Sequence, residues 1–220
     1  SFNKIDQATF FKLIHVTYEK VLNNTSNQRL IFYHIHNPSL DAELRFIHSV
    51  TDMHWIVMVR EPLQSYESWI KKSYAKGRYE ELAQKLRAML FEIDNISYSN
   101  NVSIGIKLED LKTQPKKTIR ALCNWLEVSE ESSLYEMTAQ KKKWWGDPTS
   151  PDFSKDGMNP FGTTAINRKV GTLLSKTDQF IFRTLFYPFS VRFGYIEANQ
   201  NQFENDLQSI RPHLEKMFDF

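Results

Sequence analysis

Two short apolar runs, HWIVMV ending at Val59 and NVSIGIK ending at Lys107, constrain the fold more than any other feature of this chain. Mostly apolar runs of this length, bounded by polar residues, suit strands covered on both faces. Between them the pattern changes to helical period. One helix is expected to begin near Pro62, where proline fits a first turn, and to stop at Gly77. A second is expected over 78–95, with Tyr79, Leu82, Leu86, Met89, Leu90 and Ile93 on its apolar side. Strands separated by helices argue for parallel pairing, because a parallel pair needs a crossover connection that a helix can supply. The expected class is therefore α/β, with a largely parallel sheet flanked by helices.

The remaining segments extend this rhythm and then lose it. Residues 6–22 carry Phe10, Phe11, Ile14, Tyr18, Val21 and Leu22 near helical spacing. A strand is expected over 29–35 and a helix over 39–50. Pro115 opens a further helix whose apolar side holds Ile119, Leu122, Cys123 and Leu126. From 141 to 167 turn formers dominate, which suits either a long ordered loop over a ligand or a disordered segment. A helix from Lys176 is interrupted at Pro188, and FGY at 193–195 closes the compact pattern. Residues 1–195 are expected to form one domain, with 196–220 appended as an amphipathic helix.

Charge and cysteine content narrow the classes of function. Lys and Arg number 28 against 26 Asp and Glu, a formal net charge of +2, so no general nucleic-acid binder is expected. The patch KKKWWG at 141–146 could set cations on phosphate and rings on bases, but it stands isolated. Cys123 is the one cysteine, which excludes an internal disulfide and favours a reducing compartment. No apolar run approaches the roughly 18 residues of a membrane span, and SFNKIDQ lacks the features of a secretory signal. A cytoplasmic location is expected.

Arg60 stands where the apolar run meets the Pro-started helix. A guanidinium there suits an anion, because its fork matches phosphate and helix N-termini offer free N–H groups. Ser65 and Ser68 share one side of that helix. The competing role is ordinary pairing of Arg60 with Glu61, Glu67 or another carboxylate.

REPLQSYES, with Arg60, Pro62 and Ser68, resembles the sulfotransferase family that uses 3′-phosphoadenosine 5′-phosphosulfate (PAPS). In that family the arginine and serine of this pattern bind the 3′-phosphate. IGIKLEDLKTQPKKTIRALCNWLEV resembles the family's strand, acidic turn and Pro-started helix, with Leu108 where many members carry tyrosine. FRTLFYPFSVRFGY resembles its last helix and closing Gly-Tyr. The resemblance implies a P-loop-like sulfotransferase fold, PAPS as sulfuryl donor, 3′-phosphoadenosine 5′-phosphate (PAP) as product, and a hydroxyl-bearing acceptor.

It also implies individual roles. In FYHIHNPS, His34 and His36 share one side of an ideal strand. Two histidines without further ligands make a weak metal signal, and none is expected. His36, two residues before Pro38, matches the family's base; His34 replaces a frequent lysine and is left an auxiliary role. Phe153 and Asn159 stand like the family's adenine-stacking phenylalanine and its following asparagine. Arg168 and Lys169 in NRKVG match the first two positions of a phosphate-closing Arg-Lys-Gly segment, with Val170 displacing the glycine to Gly171.

The resemblance spans most of 29–195 and lacks the family's N-terminal strand and Gly/Ser/Thr-rich loop, which hold the 5′-phosphosulfate. There is no GxxxxGK[ST] pattern. The chain is expected to be an incomplete representation of an enzyme. A noncatalytic nucleotide-binding or protein-interaction domain derived from the same fold is the second reading. Neither the acceptor's class nor an oligomeric state is specified.

Overall fold

A computed structural model of the chain describes residues 4–24, 30–34, 53–93, 102–139, 142–144, 153 and 159–218. The chain divides into two compact units, Ser1–Met53 and His54–Phe220.

The first unit contains α1, Gln7–Val21. Asp6 starts it by accepting the Thr9 N–H at 2.8 Å and the Thr9 hydroxyl at 2.7 Å. Phe11 meets Tyr33 edge to face, with ring centroids 5.4 Å apart. Residues 30–34 have no regular secondary structure, so the strand expected over 29–35 does not form across them. An extended segment needs a ladder partner to be held as a strand. The helix expected over 39–50, and His36, lie outside the described residues.

The second unit opens with β1, Trp55–Val59, which pairs in parallel with β2, Ser103–Lys107. The register runs from Trp55 opposite Ser103 to Val59 opposite Lys107. The connection holds α2, Pro62–Ala75, and α3, Tyr79–Ile93. Then come α4, Leu108–Thr113, and α5, Pro115–Trp125, followed by a 3-10 turn at Ser132–Tyr135. A short antiparallel pair joins β3, Thr138–Ala139, to β4, Lys142–Lys143. Three helices finish the unit: α6, Lys176–Leu185; α7, Tyr187–Arg192; and α8, Gln200–Phe218. The architecture is thus mixed α/β, mostly helical, around a small parallel sheet.

Local sequence explains most boundaries. Pro62 and Pro115 each occupy a first helical turn, where their missing N–H breaks no bond. Ser175 and Asp178 cap α6 reciprocally, each side chain taking the other's backbone N–H. The break between α6 and α7 falls at Phe186, and Pro188 lies in the first turn of α7, where its missing N–H breaks no helical bond.

The core lies among the helices. Leu63, Tyr66 and Ile70 of α2 pack with Leu86 of α3, with Leu174, Ile181, Phe182 and Phe186, and with Ile210 of α8. The sheet contributes Val59 and Ile106 as buried residues. Since the core fixes one side of α2, the other side of that helix stands available at the strand ends.

Candidate anion site

The C-terminal ends of β1 and β2 lie side by side, the location where open α/β sheets gather ligand-facing groups. Arg60 leaves β1 at this edge and is half-buried. Its Nε donates to Gln64 Oε1 at 2.9 Å, and its Nη2 donates to the same oxygen. No ion pair of Arg60 with Glu61, Glu67 or another carboxylate occurs among the described residues, although the charges of Glu109 and Glu61 both act on it. The carboxylates of Glu61 and Glu67 are turned to backbone instead.

Glu61 caps α2. Its carboxylate accepts the N–H of Leu63 at 3.3 Å and of Gln64 at 2.6 Å. The expectation that α2 directs free N–H groups toward an anion is therefore corrected for these two donors. A carboxylate at a helix N-terminus satisfies unpaired donors and meets the positive end of the dipole, so it takes them first.

Glu67 lies on the buried side of α2, at 4% exposure. One of its oxygens accepts the Gly171 N–H at 2.7 Å. The other accepts the N–H groups of Thr172 at 2.7 Å and Leu173 at 2.8 Å, and also the Thr172 hydroxyl. Burial would raise this carboxyl's pKa; the hydrogen bonds together outweigh burial and hold it below the usual carboxylate range. Gln64 fastens the same loop, its Nε2 donating to the carbonyls of Ile166 at 3.0 Å and Arg168 at 2.7 Å.

The loop brings Arg168 back onto α2, where its Nη1 donates to Ser68 Oγ. Arg60, Ser68 and Arg168 thus meet at one face, joined through Gln64. Burial first, and Arg168 second, lower the pKa of Arg60, while Glu109 and Glu61 oppose them. Two like charges and a hydroxyl held together this way can offer an oxyanion several charge-assisted hydrogen bonds. Gly171, one place after the expected glycine, has φ of +94°, a backbone conformation that glycine adopts without steric cost. Its N–H can therefore turn toward Glu67.

A third carboxylate ties the edges of the site. Glu109, from LEDL, accepts the Glu61 N–H at 3.0 Å and the Tyr195 hydroxyl at 2.9 Å. The closing Gly-Tyr segment is thereby joined to the ends of both strands. Burial, and then this hydrogen bond, raise the Tyr195 phenol well above its ordinary pKa.

The other expected site residues are placed less closely. Lys169 is exposed, with no hydrogen-bond partner among the described residues. Phe153 is half-buried, and no ring contact of it occurs among the described residues. Asn159 shapes its own turn, its Oδ1 accepting the Phe161 N–H at 2.9 Å. His34 is exposed in the first unit, and His36 lies outside the described residues.

Sequence reading did not single out Gln64, Glu109 or Tyr195 as site residues, and it placed Glu67 only as a possible partner of Arg60. Glu67 had a signal: it falls between Leu63 and Ile70 on the apolar side of α2, where an acid must find buried donors. Gln64 had none.

Fold and site together define a mixed α/β protein that presents two arginines and a serine beside the ends of parallel strands. No family model, no curated protein and no solved structure matches the chain. Among the described residues, no group of His, Cys, Asp and Glu side chains could hold a metal ion, and no helix is long and apolar enough to cross a membrane.

Proposed function

We propose that this chain carries the 3′-phosphate-binding part of a cytoplasmic, PAPS-dependent sulfotransferase with a P-loop-like fold. The complete protein moves a sulfuryl group from PAPS to an acceptor hydroxyl and releases PAP. The observation that carries this reading is the convergence of Arg60, Ser68 and Arg168, arrived at from two segments separated by 100 positions at their contact.

In this reading Arg60 and Arg168 share the charge of a phosphate monoester while Ser68 orients it. Phe153 stacks on the adenine and Lys169 adds long-range attraction. In the transfer, the acceptor oxygen bonds to sulfur as the bond from sulfur to the leaving phosphate oxygen breaks. His36 takes the acceptor proton, an assistance typically worth roughly 10²–10⁴ in rate. The remaining acceleration comes from positioning and fixed charge rather than from a covalent enzyme intermediate.

Calorimetric titration of the intact protein with PAP tests the reading. Arg60→Ala is expected to weaken binding by roughly 10–100-fold, as charge-assisted hydrogen bonds of about 1.5–3 kcal/mol are lost. An unchanged isotherm would contradict the role of Arg60. Binding of PAPS without sulfuryl transfer to any hydroxyl acceptor would favour the noncatalytic nucleotide-binding alternative.

A further inference from the structure

We infer that Glu67 is a positioning residue of the anion site: its buried carboxylate clamps the backbone of 171–173 onto α2 and so sets Arg168 at Ser68. The inference rests on the phosphate-binding reading above and extends it to a residue that never touches the phosphate.

A charged side chain is an expensive choice for this position. Glu67 stands among Leu63, Tyr66 and Ile70 on the buried side of α2, where an apolar residue would satisfy packing at no desolvation cost. No cation lies within ion-pairing distance of it among the described residues. Its charge is met by dipoles: three successive backbone N–H groups and one hydroxyl, all from Gly171, Thr172 and Leu173. Successive N–H groups converging this way form a nest suited to an external anion; here the protein's own carboxylate fills it.

Arg168 is carried on an exposed loop, with the like charge of Arg60 nearby, so its placement at Ser68 depends on what holds that loop to α2. Gln64 holds the near end of the loop through the Ile166 and Arg168 carbonyls, and Glu67 holds the far end. The two clamps lie three residues apart on α2, so they act from adjacent positions of one helix surface. The site is thereby assembled before a phosphate arrives, which removes the cost of ordering Arg168 on binding.

A double-mutant cycle on the intact protein, titrated with PAP, separates positioning from general stability. Glu67→Ala and Arg168→Ala are each expected to weaken binding by about tenfold or more. If Glu67 acts through Arg168, the double variant binds no worse than Arg168→Ala alone. Losses that multiply in the double variant would overturn the inference while leaving the phosphate reading intact. A wild-type protein that binds no PAP would overturn both.

Amide exchange of the unliganded protein gives a readout independent of binding. In Glu67→Ala, protection of the amides at 171, 172 and 173 is expected to fall while that of the core helices persists. Unchanged protection at all three sinks the clamp. Should the alanine variant fail to fold, Glu67→Gln serves in its place. It keeps one acceptor oxygen for Thr172 and Leu173 but turns a donor toward Gly171, so protection should be lost at Gly171 alone and binding partly retained. Full loss at all three amides, or none at Gly171, would contradict the assigned geometry.

Discussion

Glu67 links charge to stability in a direction that can be checked. Its folded pKa is lowered, burial opposing and the hydrogen bonds to Thr172, Gly171 and Leu173 prevailing. The unfolded chain binds its proton near the ordinary glutamate value of about 4.3. The carboxylate's contribution is therefore fully present above that value and is lost as pH falls through the lower folded pKa. Glu67→Gln mimics the neutral form. Urea unfolding at a series of pH values should show wild type more stable than the variant at pH 7, with the gap narrowing below about pH 4. A gap constant down to pH 3 would show that the charge is irrelevant. The placement of Arg60 and Ser68 on one stretch of chain was legible because both lie in one short segment, but Gln64 gains its loop contacts only from carbonyls 102 and 104 positions away. Helical spacing says that Gln64 can reach Arg60; nothing in local sequence says that a loop will return to occupy its other end.

Element by element, the second unit is punctuated by chemistry that a sequence displays openly. Prolines at 62 and 115 start helices, and the apolar runs at 55–59 and 103–107 pair in parallel across a helical crossover. The strand expected over 29–35 rested on composition alone, and composition does not supply a ladder partner. A close approach on β2 was equally invisible. A Cβ added at Gly105 would lie 2.4 Å from Cε1 of Phe193, so that ring occupies the space a side chain would need. Phe193 also packs on Phe189, with ring centroids 4.7 Å apart, which limits its retreat. Gly105→Ala is expected to destabilise the second unit by roughly 1–3 kcal/mol, the usual cost of overpacking. Pairing it with Phe193→Leu should recover part of that loss. Equal destabilisation with and without the Phe193 change would locate the strain elsewhere.

At the scale of the whole molecule, the described residues of the two units differ in how much apolar surface they cover. In the first, Phe10, Ile14, Tyr18 and Val21 of α1 are all exposed, and Ala8 is its buried residue among those described. The second builds its core from segments spread between Leu63 and Ile210, so its stability depends on closing long stretches of chain. Ile210 tests that dependence. It is wholly buried in the cluster that contains Phe186 and Leu63, although α8 otherwise carries a mostly polar surface. Ile210→Ala removes buried methyl groups and leaves a cavity, a change expected to cost roughly 2–5 kcal/mol. Leu207→Ala on the same helix, at 39% exposure, should cost far less. All five tryptophans, at 55, 69, 125, 144 and 145, belong to the second unit. Tryptophan fluorescence in urea therefore follows that unit without interference from the first. If α8 is integral to the core, Ile210→Ala shifts the whole fluorescence transition to lower urea with little change of slope, because the unit still unfolds as one body. A wild-type transition in the presence of Ile210→Ala would mean that the second unit keeps its stability without α8 docked.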